Sequence, residues 1–332
     1  MGRPANVPSK PVLPNPIIIF AIGVAASLIL GLLFVLVLDH LEDTIVSLAD
    51  IETRLALKVL AVLPHVRRKK REEVARFISE NKYSQFAEAV AGLRNLLDSP
   101  RYADINKVIL VMSTQPGEGK SITSCSLAIS NAQARRKTLL VDFDLRRPRL
   151  ARVWGLKDLD KEHSFSHNLQ KGSACDFASL VNNSGVENLD VIASLQPEGV
   201  DPASIMGSSI VSEFFAWARE HYDRIVIDSP PFGIVGDVMT LAAMVDGVLI
   251  MCCPDRTHFR PIQSAARNLA EAGATVLGII VNDVETGAMN SAFSQHGYYG
   301  YRKYGYGYGY GYRPNAKAQK TAEAAKTVTD EE

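Results

Sequence analysis

The stretch from Val108 to Ser121 limits the possible folds of this chain more than any other. It consists of an aliphatic run, a turn that contains Gly117 and Gly119, and then Lys120 at the start of a helical pattern. A strand, a glycine-rich loop and a helix in this order let successive backbone N–H groups point at the oxygens of a phosphate. The sequence therefore predicts a phosphate-binding loop inside an α/β fold.

The side chains of this loop fit the same interpretation. Lys120 is placed to reach the outer phosphates of a nucleotide, and the Ser121 hydroxyl is placed to ligate Mg²⁺. The usual pattern begins with glycine, whereas this chain has Thr114, so a glycine-rich turn beside an exposed lysine is the alternative. The predicted nucleotide-binding residues of the loop are Gly117, Glu118, Gly119, Lys120, Ser121 and Ile122.

Carboxylates follow two other aliphatic runs. Asp142 and Asp144 end the run that starts at Leu139, and Asp228 ends the run that starts at Ile225. Open α/β sheets bind ligands at the carboxyl ends of their strands, where carboxylates can hold a hard cation or accept a proton. The alternative for each is a surface turn with solvated aspartates. Together with the loop at Lys120–Ser121, these make three strand ends with polar side chains, which indicates a shared site.

Short aliphatic runs alternate with helical patterns from residue 105 onwards. Runs of this kind, bounded by turn residues, are typical of strands buried on both faces. We therefore predict a doubly wound, mainly parallel sheet of the P-loop NTPase type, preceded by one transmembrane helix. The predicted strands are Val108–Met112, Thr138–Val141, Leu189–Ile192, Arg224–Ile227, Val248–Met251 and Val276–Val281.

The transmembrane helix is predicted from an uncharged, mostly aliphatic segment at residues 17–38. At ~1.5 Å per residue it spans roughly 33 Å, enough to cross a bilayer core of about 30 Å. A signal peptide fits less well, because the run is too long and no small-residue cleavage site follows. A buried core helix is the remaining alternative.

The rest of the chain divides by composition. Residues 1–16 form a proline-rich stub that we place outside the cytoplasm, and residues 39–104 form a juxtamembrane and helical segment. Residues 105–296 form the predicted P-loop domain, and residues 297–332 a flexible tail. The 36 basic residues match the 36 acidic ones, which argues against a nucleic-acid partner. The four cysteines lack disulfide or metal-ligand spacing and are predicted to be reduced thiols.

Together these segments resemble the bacterial tyrosine kinases that accompany capsular and exopolysaccharide export. The likeness rests on Gln115–Ser121, on Val141–Pro148 and on Asp228–Pro231, and it includes a tyrosine-rich tail. Residues 1–66 resemble the C-terminal end of a polysaccharide chain-length determinant. The resemblance implies an ATP-dependent protein tyrosine kinase that phosphorylates its own tail and regulates polysaccharide polymerisation or export.

The resemblance also implies roles for single residues. Lys120, Asp142, Asp144 and Asp228 would be catalytic, with Asp142 orienting or deprotonating the incoming tyrosine hydroxyl. Ser121, Asp144 and Asp228 would hold Mg²⁺, and Asn282 would touch the adenine of ATP. The implied partners are further copies of the chain, a polysaccharide co-polymerase or export complex, and a cognate tyrosine phosphatase.

Two features depart from the family pattern. Members usually carry Glu-x-x-Arg-x-x-Arg on the helix before the first strand, where it builds a ring of subunits, but here Ala91 replaces the central arginine between Glu88 and Arg94. Members with a fused chain-length module also have a large external domain between two membrane helices. This sequence has one such helix, so it is either a naturally short form or a truncated one.

Eight of the eleven tyrosines lie in the tail, and they alternate strictly with glycine from Tyr304 to Tyr312. This spacing cannot pack a core, but it suits a flexible chain that delivers several hydroxyls to one site. The alternative is a low-complexity tail without a catalytic role. The predicted phosphate acceptors are Tyr298, Tyr299, Tyr301, Tyr304, Tyr306, Tyr308, Tyr310 and Tyr312.

Two other function classes share the expected fold. One is the membrane-recruited ATPase that positions chromosomes or division sites, which has lysine where this chain has Gln115. The other is a non-catalytic nucleotide-binding adaptor of a polysaccharide polymerase, which the intact Lys120 and aspartates argue against. Because an ATP site must face the cytosol, the chain is predicted to be a single-pass protein of the inner membrane with its kinase domain in the cytoplasm.

Overall fold

The structure is a computed structural model that describes residues 16–41, 43–45, 48–67, 76–171, 175–197, 199, 201–232, 237–254 and 256–285. The tyrosine cluster lies outside the described residues. So does most of the predicted proline-rich stub.

One mainly parallel sheet of eight strands carries the fold. In chain order the strands are β1 (Val59–Pro64), β2 (Val108–Ser113), β3 (Thr138–Asp142), β4 (Asn182–Asn183), β5 (Leu189–Ile192), β6 (Arg224–Asp228), β7 (Gly247–Cys252) and β8 (Val276–Val284). Their order across the sheet is β1-β8-β7-β2-β6-β3-β5-β4, and β4 is antiparallel to β5. All six predicted strands are confirmed.

Eleven α-helices are present in the described part of the chain. They are α1 (Pro16–Leu41), α2 (Leu48–Leu55), α3 (Phe77–Glu80), α4 (Gln85–Leu97), α5 (Lys120–Gln133), α6 (Leu150–Val153), α7 (Phe165–Lys171), α8 (Pro202–Met206), α9 (Ser209–His221), α10 (Asp237–Ala242) and α11 (Phe259–Glu271). The helical pattern predicted before residue 100 therefore forms two helices, α3 and α4. Ser84 is the N-cap of α4, since its side chain accepts a hydrogen bond of 3.2 Å from the N–H of Ala87.

Apolar side chains on both faces of the sheet hold these elements together. Ile109 and Val111 of β2 lie in one buried cluster with α4 and α5, as expected for residues two apart on a strand. Elsewhere Phe143 stacks on Phe215, with ring centroids 5.7 Å apart, and meets Phe165 edge-on at 5.0 Å. Burial on both faces explains why the strand sequences are aliphatic runs rather than alternating patterns.

The sheet begins earlier in the chain than the predicted domain boundary at residue 105. Strand β1, at residues 59–64, pairs in parallel with β8 and forms one edge of the sheet. Its partner strand β8 lies more than 200 residues away in the chain. The apolar run of β1 is too short for its sequence to distinguish a strand from a helix. The α/β domain therefore includes part of the predicted juxtamembrane segment.

Helix α1 matches the predicted transmembrane segment. Within it, Ile17–Val35 is apolar, with a mean hydropathy of 2.8, and none of it is buried by the rest of the chain. Helix α1 is therefore long enough and apolar enough to cross a membrane, which is compatible with a single-pass anchor.

Candidate functional site

The phosphate loop connects β2 to α5, and its shape depends on two glycines. Gly117 and Gly119 have φ angles of +89° and +98°, a region that residues with a Cβ avoid. A Cβ on Gly119 would also lie 2.1 Å from Nδ2 of Asn282. The predicted glycines are therefore required both for the backbone conformation and for close packing against the end of β8.

Helix α5 begins at Lys120, directly after the loop. The N-terminus of a 14-residue helix carries positive partial charge and unpaired N–H groups, which favour a bound anion. The Lys120 side chain is 8% exposed, and its Nζ donates a hydrogen bond of 3.0 Å to the Ser113 hydroxyl. Burial lowers the pKa of Lys120, while the nearby carboxylates of Asp228 and Asp144 oppose that shift.

Glu118 stabilises the conformation of the loop through hydrogen bonds to its side chain and its backbone carbonyl. Its side chain is 2% exposed, and its Oε2 accepts a hydrogen bond of 3.0 Å from the N–H of Gln115. The backbone carbonyl of Glu118 accepts a 3.0 Å hydrogen bond from Nδ2 of Asn282. The structure shows Glu118 and Asn282 holding the loop in place. Their predicted contact with a nucleotide stays a prediction.

Asp228 ends β6 beside α5. Its Oδ1 accepts a hydrogen bond of 3.4 Å from the Ser124 hydroxyl, whereas its buried Oδ2 has no partner among the described residues. Burial raises the pKa of Asp228 to about 6, although the neighbouring Ser121 hydroxyl and the charge of Lys120 oppose the shift. A buried carboxylate oxygen without a donor, beside Lys120 and Ser121, fits a group that balances the charge of a bound cation.

Asp142 ends β3 and has a different environment. It is fully buried, and its Oδ2 accepts hydrogen bonds of 2.9 Å from the N–H groups of both Arg149 and Leu150. Its Oδ1 accepts one of 3.2 Å from the N–H of Asp144. Burial and the neighbouring Asp228 raise the pKa of Asp142, while the N–H donors oppose the shift. Asp142 therefore organises the loop that follows β3, and its predicted role toward a tyrosine hydroxyl stays a prediction.

A cavity of about 410 Å³ opens over the phosphate loop. Lys120, Ser121 and Asp144 line it, together with apolar side chains that include Phe86. Asp142 and Asp228 are not among its lining residues. The cavity thus brings together all of the predicted loop residues except Glu118, as well as Asn282 and one of the three predicted aspartates.

Five arginines around the cavity were not predicted as site residues. Arg256 is bound to Asp283 at the end of β8, and Arg146 pairs with Asp201 at 3.1 Å. Such a cationic rim suits a polyphosphate ligand. Four of the five follow β3, the strand that ends in Asp142, and that position is the sequence signal that could have indicated them. Arg256 follows β7, which carries no carboxylate, so it had no such signal. The five are Arg146, Arg147, Arg149, Arg152 and Arg256.

No group of three or more His, Cys, Asp or Glu side chains that could hold a metal ion occurs in the described part of the chain. In phosphoryl-transfer sites Mg²⁺ is commonly held by one or two carboxylates together with water and the phosphates of the substrate.

Solved structures share this fold. The chimerical protein CapA2B2 matches with a TM-score of 0.63 and 24% identity, covering 72% of this chain and 100% of that chain. The VpsO kinase domain matches with a TM-score of 0.51 and 29% identity, covering 65% of this chain and 97% of that one.

Sequence relatives point to the same group. The tyrosine-protein kinase CpsD of Streptococcus agalactiae is 30% identical over 59% of this chain and 83% of its own length. The tyrosine-protein kinase YwqD of Bacillus subtilis is 32% identical over 58% of this chain and 78% of its own length. A family profile described as "ParA: NUBPL iron-transfer P-loop NTPase" matches residues 104–300. The chain belongs to the ParA-type P-loop NTPases and, within them, to the bacterial tyrosine kinases.

Proposed function

We propose that this kinase uses ATP and Mg²⁺ to phosphorylate the tyrosine cluster at the C-terminus of a neighbouring copy of itself. The observation that supports this most is the juxtaposition of Lys120 with the unpartnered Oδ2 of Asp228 behind the glycine loop. A lysine for the outer phosphates and a buried carboxylate for a cation are the two elements that phosphoryl transfer from a nucleotide requires.

The residues present fit Mg·ATP. Ser121 and Asp144 line the cavity and offer oxygen ligands. Asp228 lies close enough to both for them to affect its pKa. When bound, Mg²⁺ would neutralise charge on the transferred phosphoryl group. Lys120 and the arginines of the rim would orient the phosphates, since catalysis of this reaction consists mostly of positioning and charge neutralisation.

For the proton of the tyrosine hydroxyl we keep Asp142 as the proposed acceptor, with a structural condition. Its carboxylate accepts three backbone hydrogen bonds and is fully buried, so the loop at Arg149–Leu150 must move before Asp142 can meet a substrate. Asp144 lines the cavity without such a movement and is the other candidate. A comparison of the pH dependence of kcat for Asp142→Asn and Asp144→Asn would separate the two, because only loss of the true base removes the acidic limb.

The tyrosines of the described domain support the tail as the acceptor. Tyr102 and Tyr222 are buried, and the Tyr222 hydroxyl donates a 3.0 Å hydrogen bond to Asp190. Tyr83, by contrast, is 96% exposed. The eight tyrosines from Tyr298 to Tyr312 thus outnumber the accessible tyrosine of the described part, and their glycine spacing suits repeated entry into one site.

We further propose that the protein is anchored in the inner membrane by α1 and that it regulates capsule or exopolysaccharide polymerisation or export. The protein EpsB of Ralstonia solanacearum aligns with 91% of this chain and 41% of its own length, so the likeness extends into the N-terminal region. A co-polymerase, a cognate phosphatase and further copies of the chain are the proposed partners.

How the copies associate differs from the family pattern. Ala91 occupies the position of the central arginine, and Arg94 is used within its own chain. The Arg94 Nη1 donates hydrogen bonds of 2.9 Å and 3.3 Å to the carbonyl and hydroxyl of Ser130. Arg94 therefore fastens α4 to α5, and an interface between subunits would need other contacts.

The experiment is to incubate the full chain with Mg·ATP and to compare it with Lys120→Met. We expect phosphotyrosine on the unmodified chain and a loss of at least about 100-fold in the variant, because no other loop side chain replaces the lysine charge. Tyr83→Phe is the matched control, since it removes an exposed tyrosine outside the tail and should leave the signal unchanged. Phosphotyrosine that persists in the Lys120→Met protein would contradict the proposal.

A further inference from the structure

The segment that leaves α1 is bound to the chain beside the phosphate loop. The N–H of Ile45 donates a hydrogen bond of 2.9 Å to the carbonyl of Thr257, and the N–H of Phe259 donates one of 2.8 Å to the carbonyl of Asp43. Thr44 and His258 form an antiparallel bridge between these two bonds. Residues 43–45, here called the docking segment, therefore pair with residues 257–259 just after the apolar helix ends.

The carboxylate of Asp43 strengthens this docking. Its Oδ2 accepts a hydrogen bond of 2.9 Å from the N–H of Arg260 in the first turn of α11, where the preceding His258 makes no side-chain cap in the described structure. Its Oδ1 accepts one of 3.4 Å from Arg54. Asp43 thus caps α11 from a distant part of the sequence, with the negative charge that a helix N-terminus favours.

Thr257 connects the docking segment to the phosphate loop. Its side chain is fully buried, and its hydroxyl donates a hydrogen bond to Oε1 of Glu118. The Thr257 hydroxyl oxygen in turn accepts a hydrogen bond of 2.8 Å from the N–H of Cys253. Glu118 is the residue that braces the loop through Gln115. Two successive hydrogen bonds, Ile45 to Thr257 and Thr257 to Glu118, therefore lead from the exit of α1 to the residue that precedes Gly119.

We propose that Thr257 is a positioning residue for the phosphate loop and that it couples nucleotide affinity to the docking of residues 43–45. The inference rests on the proposed nucleotide binding by this loop. Without the Thr257 hydroxyl, a buried carboxylate oxygen of Glu118 loses its donor, and the loop conformation that depends on Glu118 is no longer favoured. Because coupling between two sites is reciprocal, bound nucleotide also favours the docked segment.

The test measures binding of ADP with Mg²⁺ to the full chain in detergent micelles. Thr257→Val removes the hydroxyl at nearly constant shape and should weaken binding about tenfold, in line with the loss of a donor to a buried carboxylate. Thr257→Ser keeps the hydroxyl and should restore affinity to within about twofold, and kcat at saturating nucleotide should change less than affinity. Tyr222→Phe, which removes a buried hydrogen bond away from the loop, is the matched control and should bind ADP normally.

A double-mutant cycle tests the coupling. Asp43→Ala should weaken ADP binding about three- to fivefold in the otherwise unchanged chain and not further in the Thr257→Val background, because the path is already broken there. Asp43→Asn retains an oxygen for the cap, so its affinity for ADP should lie between those of the unmodified chain and Asp43→Ala. Melting curves verify that each variant is folded. Normal binding by Thr257→Val overturns the positioning role, and additive effects of the two substitutions overturn the coupling. Absence of ADP binding by the unmodified chain would instead refute the proposed function.

Discussion

Asp142 and Asp228 end two neighbouring strands and pair with each other in the sheet register, yet their surroundings differ. Asp142 accepts three backbone hydrogen bonds from the loop that follows its strand. Asp228 keeps a buried oxygen without a partner in the described structure. The carboxylate of Asp142 thus accepts hydrogen bonds from its own backbone, whereas that of Asp228 still has an oxygen that can interact with a ligand.

This difference separates folding from function at one edge of the sheet. A carboxylate that satisfies backbone donors contributes to stability, and its loss leaves those donors buried and unpaired. A buried carboxylate with a free oxygen destabilises the empty protein and gains a favourable environment only when a cation approaches. The same substitution at the two positions should therefore have opposite consequences.

The largest expected effect is on activity at Asp228. We expect Asp228→Asn to reduce tyrosine phosphorylation by about 100-fold or more, because the neutral amide cannot balance the cation at the phosphates. The measurement is the initial rate of phosphotyrosine formation at saturating Mg·ATP. A variant with more than about a tenth of the original rate would show that Asp228 does not serve the cation.

The second effect concerns stability without ligands. In buffer with a chelator and no nucleotide, we expect Asp142→Asn to be less stable than Asp228→Asn by about 3 kcal/mol. In Asp142→Asn an amide N–H₂ faces at least one backbone N–H donor, whereas Asp228→Asn removes a poorly solvated charge. Denaturant unfolding of both variants checks the difference. Equal stabilities would remove the distinction between the two strand ends.

A smaller effect is expected from pH. Since the pKa of Asp228 is raised to about 6, its carboxylate becomes protonated as the pH falls below that value and can no longer favour a cation. Affinity for Mg·ADP should therefore be constant above pH 7 and fall roughly tenfold between pH 7 and pH 5. Titration calorimetry at both values measures this, and Asp228→Asn is the control that should lack this dependence.

The raised pKa of Asp228 affects the stability of the ligand-free protein in the opposite direction. The folded state binds a proton at Asp228 more tightly than the unfolded state, so this group stabilises the fold at low pH. That stabilisation is lost as the pH rises through about 6. Unfolding of Asp228→Asn in ligand-free buffer should lose this dependence. Nucleotide affinity and ligand-free stability thus respond to acid in opposite directions.

The central sheet was predictable because its strands are buried on both faces. Aliphatic runs such as Val108–Met112 carry a strong signal, and the carboxyl ends of parallel strands necessarily meet at one edge. The position of Lys120 at the start of α5 follows from the two glycines before it. Placing these residues together therefore required no long-range information.

Other features depend on contacts that no local pattern records. Strand β1 is identified by pairing with β8, and the role of Asp142 depends on where Arg149 and Leu150 present their N–H groups. The link from Ile45 through Thr257 to Glu118 joins three distant parts of the chain. Such relations are set by tertiary folding, so a boundary predicted at residue 105 leaves β1 outside the P-loop domain although it pairs with β8 in the same sheet.

The most direct test of the account is to map phosphates by mass spectrometry after incubation of the full chain with Mg·ATP. We expect phosphotyrosine within Tyr298–Tyr312, none at the buried Tyr102 and Tyr222, and none anywhere in the Lys120→Met protein. Hydrolysis of ATP without phosphotyrosine would contradict it and would favour a positioning ATPase with the same fold.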